Sequence, residues 1–182
     1  MREEFQFQEA VGAAFLFLEE LGFKKVESLP TFVKYRKELV TVEIYHGRQS
    51  YEVGLNISDG SASYSITDVI PKDSARSFAQ RTATTKEAIG NALSELALAL
   101  STDCPNLLDG DKAAFAELAN SKRLRAKQYE LEVLAINLRP SAERAFRHGD
   151  YAEAVRLYEK FDPVLSESEK QKLAIARRRS AN

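Results

Sequence analysis

Two glutamates in the first half of the chain are the residues best placed for acid and base chemistry. The segments 40–46 and 51–57 alternate apolar and polar residues, which predicts two β-strands joined by a four-residue loop. This loop predicts that Tyr45 pairs with Glu52, and it makes Glu43 a diagonal neighbour of Glu52 on the same face, about 7–8 Å away. Two carboxylates at that separation could flank a water molecule and hydrolyse a substrate.

The same face is also suited to protein recognition. Tyr45 stands beside both glutamates, and an aromatic anchor rimmed by charge is a common pattern at protein interfaces. Lys34 or Arg36 on a neighbouring strand could equally make the glutamates part of an ordinary polar surface. We favour recognition of a basic protein partner by Glu43, Tyr45 and Glu52, and we keep a small hydrolase as an alternative.

The remaining reactive side chains show no catalytic or metal-binding pattern. His46 and His148 lie far apart without a metal-spaced neighbour, and Cys104, the only cysteine, precedes Pro105 without a nearby histidine. The glycines form neither a P-loop nor a dinucleotide-binding motif. We therefore predict a non-catalytic protein without a metal or another cofactor.

Charge is distributed unevenly along the chain. Residues 1–120 contain 12 Lys and Arg against 18 Asp and Glu, whereas residues 121–182 contain 14 against 9. A nucleic-acid-binding regulator that uses the basic C-terminal helices is therefore a second alternative, with a basic stripe formed by Lys122, Arg123, Arg125, Lys127 and Arg177 to Arg179. Acidic residues are interleaved at helical spacing, which is typical of a solvated helix face, so we do not favour nucleic acid as the partner.

Targeting and membrane signals are not evident in the sequence. The apolar runs are interrupted well before the roughly 20 residues of a membrane span, and the N-terminus lacks the pattern of a secretory leader. We predict a cytoplasmic protein without a membrane partner. The sequence leaves the oligomeric state open.

The hydrophobic periodicity predicts an α+β fold in two parts. An α+β domain is predicted over residues 1–104, and an all-helical region over residues 105–182. The first element is an amphipathic helix over residues 7–21, with Gly22 as its stop. The second helix of this domain begins with a capping box at Thr84 and ends before Pro105.

Between these helices the sequence predicts a four-stranded antiparallel sheet. Residues 22–29 and 32–36 form the first two strands, and the hairpin described above supplies the other two. Residues 64–70 could add either an edge strand or one helical turn, and the polar stretch that follows, up to Arg81, is predicted to be a loop.

The C-terminal region is predicted to be helical throughout. A long helix is expected from about Lys112 to Leu138, and Pro140 is expected to start another helix that ends at Gly149. Ser166 opens the last helix through a capping box.

The stretch HGDYAEAVRLYEK, residues 148–160, resembles a tetratricopeptide helix-turn-helix unit over residues 140–163. The turn Gly-Asp-Tyr and the residues Ala154, Val155 and Tyr158 carry the resemblance, which implies a hairpin with Tyr151 and Tyr158 filling the gap between helices. A single unit cannot form a solenoid, so the hairpin either packs internally or binds a partner protein around Tyr151 and Tyr158, as an alternative to the sheet face. The departures are Pro140, Phe161 and Pro163.

The first half of the chain resembles small bacterial α+β immunity proteins, which neutralise a toxin by binding it. The resemblance lies in the helix ending FLFLEELGF and in the strands FVKYRKELVTVEIYHGRQSYEVGLNIS. It implies a binding role and assigns no functional residue.

Overall fold

The computed structural model describes residues 6–70, 78 and 82–181. Two compact units divide the chain, residues 1–120 and residues 121–182. The first unit combines helices with a sheet, and the second is helical. The loop predicted up to Arg81 lies largely outside the described residues.

The N-terminal helix is broken once. The single helix predicted over residues 7–21 is two helices, α1 (Phe7–Ala14) and α2 (Leu16–Glu20), because the backbone turns at Phe15, where φ is −106° and ψ is 22°. The turn leaves both Phe15 and Leu18 fully buried in the core of the first unit.

The sheet has five antiparallel strands in the order in which they occur in the chain. They are β1 (Lys24–Leu29), β2 (Phe32–Lys37), β3 (Val40–His46), β4 (Val53–Ser58) and β5 (Ser63–Ser65). The prediction of four strands was therefore short by one. The segment considered for an edge strand or a helical turn forms both, since β5 leads directly into the one-turn helix α3 (Ile66–Val69), which opens with a Ser65–Asp68 capping box.

The register of the β3–β4 hairpin differs from the predicted one by two residues. Tyr45 lies opposite Gly54, not Glu52, because Tyr51 adopts a positive φ of 55° and lengthens the connection. Glu52 instead forms a β-bridge with Thr82. A shift of two residues keeps every side chain on its predicted face, which is why Tyr45 remains on the outer face of the sheet.

Helices cover the inner face of the sheet. Helix α4 (Lys86–Asp103) is capped by Thr85, whose side chain accepts from the Ala88 N–H, so the cap lies one residue beyond the predicted Thr84. A short helix, α5 (Pro105–Leu108), follows. The core of this unit extends past residue 104, since it includes the buried side chains Leu107, Leu108 and Phe115.

The second unit is built on one long helix. Helix α6 (Lys112–Arg147) runs through Pro140 without a break, so the predicted start of a separate helix at that proline was wrong. A proline removes one backbone hydrogen bond, and the full burial of Ala135 and Ala142 holds the helix on either side. Helix α7 (Tyr151–Tyr158), a 3₁₀ segment (Glu159–Val164) and helix α8 (Glu167–Ser180) complete the unit.

The turn between α6 and α7 depends on Gly149, whose φ is +79°. We expect Gly149→Ala to lower the free energy of unfolding by about 1 kcal/mol, because a Cβ strains the left-handed backbone. No heavy atom lies within 4 Å of the position of that Cβ, so strain alone is measured. Urea denaturation of the variant tests this, and a stabilised variant would rule out the left-handed conformation.

The Tyr35 hydroxyl is fully buried and finds no hydrogen-bond partner among the described residues. Burial, and to a lesser degree Glu19, raises the pKa of Tyr35 to about 12. We expect Tyr35→Phe to raise the free energy of unfolding by about 1 kcal/mol, because it removes a desolvated hydroxyl and keeps the ring. Thermal unfolding of the variant measures the gain, and a loss of that size would show that the hydroxyl has a partner after all.

Candidate partner-binding face of the sheet

The outer face of the sheet carries the aromatic residue predicted to anchor a partner. Tyr45 projects from β3, and its ring lies across Gly54 on β4. The approach is so close that a Cβ at Gly54 would be 2.3 Å from Cζ of the ring. A glycine at this position leaves the strand surface open for an aromatic neighbour. Burial, followed by the Glu52 carboxylate, raises the pKa of the Tyr45 phenol above its ordinary value.

Glu43 is held by a cation on the neighbouring strand. Lys34 and Glu43 are direct partners in the β2–β3 ladder, and Nζ of Lys34 lies 2.7 Å from Oε1 of Glu43. Both side chains are about one quarter exposed, at 23% and 27%. The pair is therefore partly shielded from solvent, and its charges interact more strongly than those of a fully exposed pair.

Glu52 lies on the same face, at the edge of a small cavity. Its bridge to Thr82 fixes the backbone, and its carboxylate is near enough to Tyr45 to affect the phenol. The cavity has a volume of about 160 Å³, and Tyr45, Glu52, Gly54, Ser65, Thr67 and Phe78 are among the residues that line it. The cavity is thus lined by the aromatic ring of Tyr45, the carboxylate of Glu52 and the hydroxyl-bearing side chains of Ser65 and Thr67.

The two glutamates do not form the predicted diagonal pair. Glu43 lies opposite Asn56, four residues along β4 from Glu52, so the carboxylates are separated by about 13 Å of strand. Glu43 is also engaged by Lys34. The arrangement of two carboxylates about one water, on which the hydrolase alternative rested, is therefore absent between these two residues.

The outer face is balanced in charge, which differs from the acidic surface that recognition of a basic partner by Glu43 and Glu52 implied. The strand pairings place three cations and three acids on the outer face: Lys24, Lys34, Arg36, Glu27, Glu43 and Glu52. Apolar area lies among them, since the half-buried Phe32 is the direct β2 partner of Tyr45. A surface of this kind suits a partner of mixed charge better than a strongly basic one.

The two tyrosines predicted in the helical hairpin have different environments. Tyr158 is fully buried, and its hydroxyl donates to Oε1 of Glu143 over 2.9 Å. Burial and this hydrogen bond raise the pKa of Tyr158 well above its ordinary value. Tyr151 is half-buried, with its ring edge against Phe146 at 5.8 Å and the Arg179 guanidinium 5.2 Å from its centroid. Tyr158 therefore packs within the hairpin, and Tyr151 offers some accessible surface.

The side chains of His46 and Cys104, which show no catalytic pattern in the sequence, are both buried in the structure. His46 is buried, its Nε2–H donates to the Ala83 carbonyl over 2.9 Å, and its ring stacks on Phe7. Burial, and secondarily Asp103, raises the pKa of the Cys104 thiol to about 12, which keeps it protonated and unreactive. Within the described residues, no group of three His, Cys, Asp or Glu side chains could hold a metal ion.

One concave surface could not be found by reading the sequence. A cavity of about 440 Å³ lies between the β2–β3 turn, the β4–β5 turn and the start of α6, with Leu39, Val40, Tyr64, Leu108 and Phe115 among its apolar lining. Lysines and carboxylates stand at its rim, and Lys37 lies 3.9 Å from Asp109. Its residues come from three distant segments, so no local motif marks it.

The fold and this face define an α+β protein with an open five-stranded antiparallel sheet, one surface of which carries a half-buried aromatic residue among paired charges. Searches of family models, curated proteins and solved structures found no match to the chain. Among the described helices, none combines the length and the hydropathy that a membrane crossing requires.

Proposed function

We propose that the protein binds another protein through the outer face of its sheet. The observation that carries the proposal is the position of Tyr45, whose ring lies over Gly54 beside the cavity that Glu52 lines. Interface hot spots are commonly aromatic residues seated in partly desolvated surroundings and ringed by polar contacts. Tyr45 has such surroundings before any partner is bound.

The charged neighbours support this proposal because they are already ordered. The 2.7 Å contact between Lys34 and Glu43 fixes both side chains beside Tyr45. Ordering long side chains on binding costs about 0.5–1.5 kcal/mol each, so a surface that is ordered in the free protein loses less. A partner that presents an apolar group between one acid and one base would complement this surface.

The immunity type of toxin neutralisation is the specific form of the proposal. Its support is the order of elements, a helical N-terminus followed by an antiparallel meander with a polar outer face. The helical hairpin then serves as a separate module, and Tyr151 is the residue through which it could also touch a partner.

The experiment is affinity capture of the tagged protein from its native lysate, followed by mass spectrometry and by titration of any stoichiometric protein recovered. We expect Tyr45→Ala to weaken the measured affinity about 30-fold at a temperature at which the variant remains folded, since truncation removes the anchor. Tyr151→Ala is the matched control, because it removes a half-buried tyrosine from the other unit.

The outcomes separate the alternatives. Equal affinity of the Tyr45 variant and the unmodified protein would refute the sheet face as the binding surface. A larger loss for the Tyr151 variant would move the binding surface to the hairpin. Recovery of nucleic acid that is lost after nuclease treatment would instead favour the basic stripe of residues 122–127 and 177–179. Toxicity of the captured protein when expressed alone would support the immunity role.

A further inference from the structure

Three turns of the first unit surround the cavity of about 440 Å³ that lies beside the start of α6. They are the β2–β3 turn at Leu39, the β4–β5 turn at Gly60 and the turn between α5 and α6 at Gly110. A Cβ at Gly60 would lie 3.7 Å from the Leu39 carbonyl oxygen, and a Cβ at Gly110 would lie 3.4 Å from Cγ2 of Val40. The β2–β3 turn therefore packs closely against both of the other turns, and the cavity is part of the fold of this unit.

Two aromatic rings line the cavity. The ring centroids of Tyr64 and Phe115 are 6.2 Å apart, and Ala116 and Ala119 add small side chains from α6, which leaves space beside the rings. Pockets for small molecules commonly have volumes of about 300–1,000 Å³ and mostly apolar linings, and this cavity has both properties. The ring or short chain of a small organic molecule would therefore find apolar contacts here.

One carboxylate at the cavity is held in place by its own turn. Oδ1 of Asp59 accepts hydrogen bonds from the Ser61 N–H over 2.9 Å, the Ser61 hydroxyl over 2.7 Å and the Ala62 N–H over 3.1 Å. The bond from the Ser61 hydroxyl, with those from the backbone, lowers the pKa of Asp59 below its ordinary value despite the opposing effect of burial. The two oxygens of a carboxylate together offer about four acceptor positions, so Asp59 is charged, oriented and able to accept a further donor.

The Asp59 carboxylate lies near one of the two rings. After burial, its negative charge is the largest cause of the raised pKa of the Tyr64 phenol. A carboxylate and an aromatic ring together recognise an organic cation, because the carboxylate accepts a charge-assisted hydrogen bond and an aromatic face attracts an ammonium group. The apolar part of such a cation would pack against the rest of the lining.

The other charges around the cavity also favour a cation over an anion. Lys37 lies 3.9 Å from Asp109, so these two charges offset each other. The lining then contains two further acids, Asp59 and Glu38, and one further base, Lys112. A cationic ligand is therefore preferred to an anionic ligand of the same shape.

The start of α6 does not reverse this preference. A helix N-terminus attracts anions, but Asp111 already occupies this one, since its Oδ1 accepts from the Ala113 N–H over 2.8 Å. We propose that the cavity binds a small organic amine, whose ammonium group pairs with Asp59 and whose apolar body packs against Tyr64 and Phe115. The proposal is independent of the partner-binding face, because the cavity shares no lining residue with the smaller cavity on that face.

The test is titration of the full chain with phenethylamine, followed by the chemical shifts of the protein in NMR spectra. Phenethyl alcohol and hydrocinnamate are the matched probes, because they keep the phenyl ring and replace the ammonium group by a neutral hydroxyl and by a carboxylate. We expect phenethylamine to bind about tenfold more tightly than phenethyl alcohol, since only the ammonium group forms a charge-assisted hydrogen bond with Asp59. Hydrocinnamate should bind more weakly than either.

Two variants place the binding in this cavity. Asp59→Asn keeps an oxygen that accepts from Ser61 and Ala62 but removes the charge, so it should weaken phenethylamine binding about tenfold and leave phenethyl alcohol binding unchanged. Ala116→Leu fills space in the cavity and should weaken the binding of both probes. Ala113→Leu is the matched control, because it enlarges an exposed alanine of the same helix outside the lining, and thermal unfolding checks that each variant is folded.

Each outcome bears on the proposal. Selective loss of phenethylamine binding in Asp59→Asn, together with weaker binding of both probes by Ala116→Leu, would support it. Phenethylamine that does not bind at about 1 mM, or hydrocinnamate that binds as tightly as phenethylamine, would overturn it. Unchanged phenethylamine binding in Asp59→Asn, loss of both probes in that variant, or no effect of Ala116→Leu would overturn it as well.

Discussion

Gly54→Val is expected to lower the free energy of unfolding by about 2–3 kcal/mol, a cost in the range for overpacked sites. The new Cβ would lie 2.3 Å from both Cζ and the hydroxyl oxygen of Tyr45 and 2.8 Å from Cε2, so the ring must leave its place on the sheet. The strand preference of valine over glycine offsets part of this cost. Chemical denaturation measures the loss, and the same variant should also bind the captured partner more weakly because its anchor is displaced.

The control is the same substitution in a Tyr45→Ala background. Without the ring the valine side chain meets no steric clash, so Gly54→Val should lower the free energy of unfolding by less than about 1 kcal/mol. The difference between the losses in the two backgrounds is the coupling energy of a double-mutant cycle. An equal cost in both backgrounds would mean that Tyr45 does not rest on Gly54, and it would remove the geometric basis of the proposed binding surface.

Glu169→Ala is expected to destabilise the second unit by about 3 kcal/mol, because one buried carboxylate holds two elements. Oε1 of Glu169 accepts from Nε of Arg139 over 2.9 Å, and Oε2 accepts from the Ser166 N–H over 2.7 Å at the start of α8. The Glu169 side chain is only 8% exposed. Removal therefore takes the carboxylate partner from a partly buried guanidinium, which keeps its bond to the Val164 carbonyl, and it leaves the Ser166 N–H without its acceptor.

Acid titration provides the test of mechanism for the same residue. Burial would raise the pKa of Glu169, but hydrogen bonds from Ser166 and Arg139 outweigh it and lower the pKa below its ordinary value; Glu143, bonded to Lys172 and Tyr158, is lowered as well. A lowered pKa stabilises the folded state above the unfolded pKa of about 4.5, and this contribution is lost as the pH falls through the folded value. We expect the difference in free energy of unfolding between the unmodified protein and Glu169→Ala to become smaller below that pH. A difference that does not change with pH would show that packing, and not charge, accounts for the lost stability.

Much of the secondary structure could be predicted because its signals are local. Ser166 and Glu169 are three residues apart and cap α8 as predicted, and the positive φ of Gly22 and Gly149 matches their predicted roles at helix ends. The period-two pattern of β3 and β4 assigned each side chain to the correct face. These features depend on neighbours within one turn or one strand, which the sequence displays directly.

The predictions from sequence that were wrong or incomplete concern contacts between segments that are distant in the chain. The bridge between Glu52 and Thr82 joins residues 30 apart and engages Glu52 outside the β3–β4 ladder, and no feature of the loop reveals it. Pro140 lies within a helix because the packing of Ala142 favours continuation. The Lys34–Glu43 pair was foreseen only as one option, since it needs the β2–β3 register.

The sequence by itself determined the order and type of most elements and the membership of each face, because backbone periodicity and capping are short-range effects. Only the tertiary structure decided which residues meet: that Tyr45 lies over Gly54, that Arg139 reaches Glu169 from 30 residues away, and that Tyr158 is buried while Tyr129 is exposed. The physical reason is that burial and pairing follow the packing of whole elements. A tyrosine at helical spacing has the same local signature whether its helix face meets a core or solvent.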